Sequence, residues 1–294
     1  MTQATKEAGK AASWIRESIG KFVASAENRI DPGGTEEPAW DEPLVGFSSG
    51  DDPLYRHFKD DIGPFVWTPK EIFSLTFPTV KALPEELAVV SWILPQTELT
   101  RHDNAAEKKL PARRWAMTYK YGEEFNVRLR NHVASLLNAA GYEAVAPMTS
   151  PLWKQQTSER YGPASSWSER HAAFASGLGT FGLCDGLITP RGKAVRCGSV
   201  VARIGVPPTD RPYTDRRHAY CLFYRNGSCG KCIKRCPAGA VTRTGHDKEK
   251  CGNYLRNVTK PFVKDRYGLD LSTCGLCQTA VPCEANIPVP GRDD

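Results

Sequence analysis

Along residues 11–30, AASWIRESIGKFVASAENRI, apolar side chains return at helical intervals: Trp14, Ile15, Ile19, Phe22, Val23, Ala26 and Ile30 share one stripe. That period predicts an amphipathic helix packed on the body of the protein or on a second copy, so a homodimer is one expectation. Its polar face mixes Lys, Arg and Glu, unlike the uniformly basic face of a helix that lies on a membrane. The next stretch, DPGGTEEPAWDEP (31–43), is rich in Pro, Gly and Glu and reads as a linker.

Beyond it the hydrophobic period alternates between strand and helix. AVVSWILP (88–95) is a short apolar run bounded by Pro, the pattern of a buried strand. FNVRLRNHVASLLNAAGY (125–142) sets Val127, Leu129, His132, Val133, Leu136 and Leu137 on a helical period and stops at Gly141. EAVAPM follows as a strand. SSWSERHAAFASGLG (165–179) opens with serine and Glu169, the signals of a helix start, and ends on glycines. GLITP and AVRCGSVVARIGVP then read as strands. The expected fold class is α+β. A helix and linker (1–43) precede an α/β sandwich (44–207), and a cysteine-rich module (208–294) closes the chain.

GLGTFG (177–182) matches the dinucleotide-binding pattern G-x-G-x-x-G letter for letter. That motif needs a strand before it and a helix after it, so that a pyrophosphate meets a helix N-terminus. Here a helix precedes and a strand follows, and no acidic residue stands about 20 positions on. The pattern argues against a nicotinamide site.

No run of 18 apolar residues occurs, and the N-terminus has neither the apolar core of a signal peptide nor a twin-arginine pair. The expected location is the cytoplasm. In a reducing compartment the ten cysteines point to metal or catalysis and away from disulfides. Charge is uneven: residues 1–61 carry 12 acidic and 7 basic side chains, net −5, so the formal +6 of the chain leaves +11 for the remainder. The cysteines lie in that basic part.

After Cys184 and Cys197, eight cysteines fall into two groups of four. The first is Cys221-x7-Cys229-x2-Cys232-x3-Cys236-Pro, and the second is Cys251-x22-Cys274-x2-Cys277-x5-Cys283. The first resembles the bacterial ferredoxin run C-x2-C-x2-C-x3-C-P, with Asn226 in the place of its first cysteine. In two-cluster ferredoxins the last cysteine of each group crosses to the other cluster. Applied here, Cys221, Cys229, Cys232 and Cys283 hold one [4Fe–4S] cluster, while Cys236, Cys251, Cys274 and Cys277 hold the second. Cys221 then replaces the missing ligand through a longer loop. Paired C-x2-C knuckles also bind zinc, but the Cys-Pro and the AGAV after it favour iron–sulfur. Two clusters of about −2 each would reduce the formal +6 to about +2, so part of the basic excess offsets them.

With this module behind an α/β domain, the chain resembles the cobalamin-dependent iron–sulfur reductases that include epoxyqueuosine reductase and the reductive dehalogenases. The resemblance rests on YKYGEEFNVRLRNHVASLLNAAGY (119–142), SERHAAFASGLGTFGLCDGLITPRG (168–192) and the double cysteine group, and covers about residues 80–285. It implies a nitroreductase-like corrinoid-binding domain followed by a ferredoxin-like domain that delivers electrons to cobalt. It also implies that Gly177, Gly179 and Gly182 line the cofactor, with Tyr119, Tyr121 and Phe125 as aromatic walls and Cys184 facing the same cavity. Flavin is the alternative organic cofactor, because nitroreductase-like folds bind it elsewhere. A ferredoxin or flavodoxin is the implied electron donor.

The chain also departs from the family. Epoxyqueuosine reductases carry a catalytic Asp shortly before the Glu-Arg pair that is Glu169-Arg170 here; this chain has Gly162-Pro163 at that place. The Cys-Pro-Trp-Asn motif, the helical-repeat tail of tRNA-acting members and the export signal of respiratory dehalogenases are missing. Tyr161, with Arg160 as an electrostatic helper, is therefore the candidate proton donor. Cys197 and His171 read as structural. The expected function is a reductase passing electrons through two clusters to a corrinoid that reduces a small molecule. An electron-transfer protein without corrinoid and a tRNA-modifying reductase are the alternatives.

Overall fold

The computed structural model describes residues 3–290; positions 1–2 and 291–294, at the ends of the two outer segments, lie outside them. At its centre is a four-stranded antiparallel sheet in the order Leu44–Ser49, Ala88–Pro95, Val195–Ala202, Ala144–Val145. Ala88–Pro95 is buried at every position, which is why its sequence shows no alternation. The pleat sends Val90, Trp92 and Leu94 to one face, against Ile15 and Ile19 of the helix Gln3–Val23 and Leu129 and Val133 of the helix Glu123–Ala139. Val89 and Ile93 point the other way. They meet Phe174 of the helix Glu169–Ala175, and Phe58 and Phe73 of the helices Pro53–Ile62 and Pro69–Thr76. Helices thus cover both faces of the sheet.

The N-terminal helix ends at Val23, short of the expected Ile30, because the chain turns back through Ser25 and Asn28. Ile15, Ile19, Val23 and Ile30 are buried in the chain's own core, while Trp14 and Phe22 are half-buried and Ala26 is exposed. Residues 31–43 are pinned to the body instead of spanning free space. Trp40 is buried and its indole N–H donates to Gly122 O at 3.0 Å, Asn28 Nδ2 donates to Trp40 O at 2.8 Å, and Glu37 pairs with Arg114 at 2.8 Å.

Gly122 closes a π-helical turn, Thr118–Gly122, that leads into the helix Glu123–Ala139. Such a turn widens the helix and leaves backbone groups to be satisfied from outside, which Trp40 does here. On that helix Leu129, Val133 and Leu137 are buried as its period predicts, but Val127 is 37% exposed. Ser168 is the cap residue of the helix Glu169–Ala175, but its side chain makes no capping bond. The Ser168 hydroxyl meets His171 Nδ1 at 2.8 Å, and the Glu169 carboxylate is taken by Arg130 and Ser199.

The cysteine-rich segment holds short helices, Leu222–Asn226, Lys231–Arg235, Lys248–Tyr254 and Lys260–Tyr267, the last two continuous through a π-helical turn at Leu255–Thr259, and a hairpin of Val241–Thr242 with Gly245–His246. Polar ties knit it to the sheet domain. Arg235 donates to the carbonyls of Leu276, Thr279, Asn104 and Glu107, and fully buried Asn104 donates to Thr279 Oγ1 at 3.2 Å. Gly192 (φ +78°) lets the two parts touch backbone to backbone, since a Cβ there would stand 2.1 Å from Glu284 O. The Lys193 N–H accordingly reaches Cys283 O at 2.8 Å.

Candidate active site

The short helices, with Cys232 and Cys251 inside them, and the loops between them bring the cysteines to two cavities. Cys221, Cys229, Cys232 and Cys283 line one, with Gly182 and Lys193 in its wall. Cys236, Cys251, Cys274 and Cys277 line the other, with Cys184, His246 and Tyr254 beside them. Among the described residues no three Cys, His, Asp or Glu side chains form the ligand set of a single metal ion. In the wall of the second cavity Gln96 Oε1 and Thr273 Oγ1 are buried polar atoms without a hydrogen-bond partner.

Cys184 stands between the two groups. Its thiol donates to Cys277 O at 3.8 Å, and interaction with the thiols of Cys232 and Cys277, with Lys193 nearby, holds it well below the ordinary thiol range. Lys193 is only 2% exposed. Burial opposes its charge, but Cys184, Cys283, Cys232 and Cys277 around it outweigh that and hold the ammonium well above its usual value. His246 joins the second group to a carboxylate: it lies 3.1 Å from Asp185 and also bonds Cys251. Burial works against its charge, yet these partners push it up to about 10.

The second cysteine cavity shares Arg170, Tyr119 and Arg196 with a chamber of about 480 Å³. Met148, Trp167 and Cys197 line that chamber, and its floor is a buried ion-pair network. Arg130, 2% exposed, lies 2.9 Å from both Glu123 and Glu169 and donates to Cys197 O at 3.0 Å. Burial tends to lower its pKa, and the two carboxylates more than reverse that. Arg196 pairs with Glu123 at 2.8 Å while its guanidinium lies 4.3 Å from the Tyr119 ring centre. Burial pushes the Cys197 thiol up to about 12, so it is inert near neutrality.

Arg170 also borders a third chamber of about 270 Å³, lined by Trp153, Tyr161, His171, Asp185, Arg217 and Lys248 among others. The Tyr161 hydroxyl donates to Asp61 Oδ2 at 2.8 Å, and Arg217 approaches the same carboxylate at 3.2 Å. Burial and the bond to Asp61 raise the phenol's pKa, which Arg217 opposes. Arg160 also pairs with Asp61, but it is 69% exposed and does not line the chamber. It reaches Tyr161 through that carboxylate and with its guanidinium 5.1 Å from the phenol ring centre. Asp61, Arg217 and Lys248 are site residues that sequence reasoning missed; the only signal was the acidic pair in FKDDIG (58–63).

Several cofactor-lining expectations need correction. Phe125 is fully buried and packs 5.4 Å from Phe22, on the face of the sheet turned away from the chambers. Tyr121 lines none of the three chambers, whereas Tyr119 lines two. The glycines serve the chain's own packing. A Cβ on Gly177 would meet Asp210 O at 2.6 Å, and one on Gly179 would meet Ile188 O at 2.4 Å. Gly182 borders the first cysteine cavity.

No protein-family model matches the chain. The chain is 35% identical over 121 residues to epoxyqueuosine reductase of Bacillus anthracis, 39% of this chain and 29% of that protein. It is 31% identical over 121 residues to epoxyqueuosine reductase of Bacillus subtilis, 39% of this chain and 28% of that protein. These matches span less than a third of either relative. A reductive dehalogenase whose structure was read as suggesting a mechanism for B12-dependent dehalogenation shares the fold, with a TM-score of 0.55 at 16% identity, covering 98% of this chain and 34% of that one. The matched segment is similar to the epoxyqueuosine reductases, and the dehalogenase comparison shows a shared fold. No helix among the described residues is long and apolar enough to cross a membrane.

Proposed function

We propose that the protein is an oxidoreductase in which two [4Fe–4S] clusters pass electrons towards a corrinoid held in the cleft around Arg170, for the reduction of a small molecule in the Tyr161 chamber. The observation that carries this reading is the grouping of eight cysteines round two cavities, one of which shares its wall with the cleft. Four thiolates round a rim suit a cubane, in which each takes a different iron. The aromatic and thioether walls of Tyr119, Trp167 and Met148, with the amide of Gln96 at the edge, suit a macrocycle that carries amide side chains. A bound corrinoid supplies low-potential chemistry at cobalt.

The chain's own residues do the rest. Cys236, Cys251, Cys274 and Cys277 would hold the cluster that borders the cleft, and Cys221, Cys229, Cys232 and Cys283 the second cluster, with a ferredoxin- or flavodoxin-type protein as the proposed donor. Tyr161 is kept protonated by burial and by Asp61, so it has a proton to give to the substrate atom that takes up the electron pair. Asp61, fixed by Arg160 and Arg217, orients that hydroxyl.

Replacing Cys229 or Cys274 with Ser tests the ligand assignment. Each variant is expected to lose about four of about eight irons, with loss of turnover. Full iron retention in both would overturn it.

A further inference from the structure

The Tyr161 chamber carries more positive charge than the protein itself balances. Arg170, Arg217 and Lys248 all line it. Arg217 shares the Asp61 carboxylate with Arg160 and with the Tyr161 hydroxyl. Among the described residues Arg170 and Lys248 form no ion pair: Arg170 donates to the carbonyl of Asp185, and Lys248 Nζ donates to Pro163 O at 3.1 Å. The one carboxylate in the chamber wall, Asp185, is engaged by His246 at 3.1 Å. Three cations therefore stand against two carboxylates, Asp61, which is shared with Arg160, and Asp185, which is shared with His246.

The surplus hydrogen-bonding capacity has the same sign. Arg217 Nε and Trp153 Nε1, both from residues of this wall, are buried donors without an acceptor. Leaving such groups unpaired is costly, as is crowding like charges in a partly desolvated space. The crowding is felt by Lys248, whose pKa is lowered by burial, raised by Asp185 and lowered further by Arg170 and Arg217, with a net fall. His171, packed 4.7 Å from both Phe58 and Phe181, is held neutral by burial and by the same three cations, and adds no negative charge. The missing partner is an acceptor-rich anion, and a chamber of about 270 Å³ lies at the low end of small-molecule sites.

We propose that this chamber binds a carboxylate or phosphate group of a small organic molecule between Arg170, Arg217 and Lys248, with the Tyr161 hydroxyl against the part of the molecule to be reduced. Its role as a substrate site rests on the reductase reading; the anion site itself does not.

The test is isothermal titration of the anaerobically purified full chain with benzoate, phenyl phosphate and the neutral benzamide, with cobalt measured on the same sample. At least one anion should bind tenfold or more tightly than benzamide, and the better anion identifies carboxylate or phosphate. Lys248→Met should weaken it about tenfold and Lys248→Arg should restore it. Arg170→Gln, remote from the Pro163 contact, should weaken it too and guards against misfolding of the first variant. Equal binding of benzamide, no binding of either anion at millimolar concentration, or unchanged affinity in both loss variants would overturn the proposal. Anion binding without cobalt would instead remove the corrinoid reading and leave the site standing.

Discussion

The Tyr161 hydroxyl donates to Asp61 at 2.8 Å across one hundred residues of sequence. A phenol that donates to a carboxylate is stabilised in its neutral form, and this contact with burial raises the Tyr161 pKa while Arg217 opposes it. In Asp61→Asn the phenol should therefore titrate at lower pH, towards the ordinary value of about 10. The difference in tyrosinate absorbance between Asp61→Asn and the double variant that also carries Tyr161→Phe isolates this group. An unchanged titration would mean that Asp61 does not tune the proton donor.

A second prediction concerns Lys193, which bonds Cys283 and lies between the first cysteine cavity and the cleft. A buried positive charge favours the more negative, reduced state of a neighbouring cluster. Lys193→Met should lower the midpoint potential of that cluster in a titration followed by electron paramagnetic resonance. A potential that stays the same or rises, with iron content intact, would contradict this.

Anion affinity in the Tyr161 chamber should depend on pH. Lys248 faces Arg170 and Arg217, which lower its pKa along with burial, and Asp185, which raises it; Tyr161 and the Pro163 carbonyl complete its surroundings. The positive charge is present at low pH and is lost as pH rises through a value below the usual lysine range. Benzoate or phenyl phosphate binding should weaken over that interval in the wild type and change less in Lys248→Arg. A flat wild-type profile would remove Lys248 from the site.

For stability, the N-terminal helix makes a clear contrast. Ile19 is fully buried against the sheet, so Ile19→Ala should cost about 2–5 kcal/mol in a denaturant titration. Val127, 37% exposed, should cost no more than about 0.5 kcal/mol when changed to Ala. Equal effects would mean that the helix is not part of the cooperative core.

These contrasts mark where the sequence is informative. The Ala88–Pro95 strand, the 123–139 helix and the failure of GLGTFG as a nucleotide motif follow from local period and order, which residues within one element determine. Cysteine spacing works for the same reason, because short loops control which sulfurs meet. Period alone could not say that Phe125 faces the N-terminal helix and not the cleft, or that Val127 would be left at the surface. The Asp61–Tyr161 and Arg217–Asp61 contacts were illegible because tertiary folding alone joins them. The Ser168 hydroxyl makes no capping bond because it meets His171 Nδ1 instead.

The most direct test of the account is the metal content and visible spectrum of protein purified anaerobically from cells supplied with cobalamin. About eight iron and about one cobalt per chain, with corrinoid absorbance, is the predicted result. Iron without cobalt, or zinc in place of iron, would contradict it.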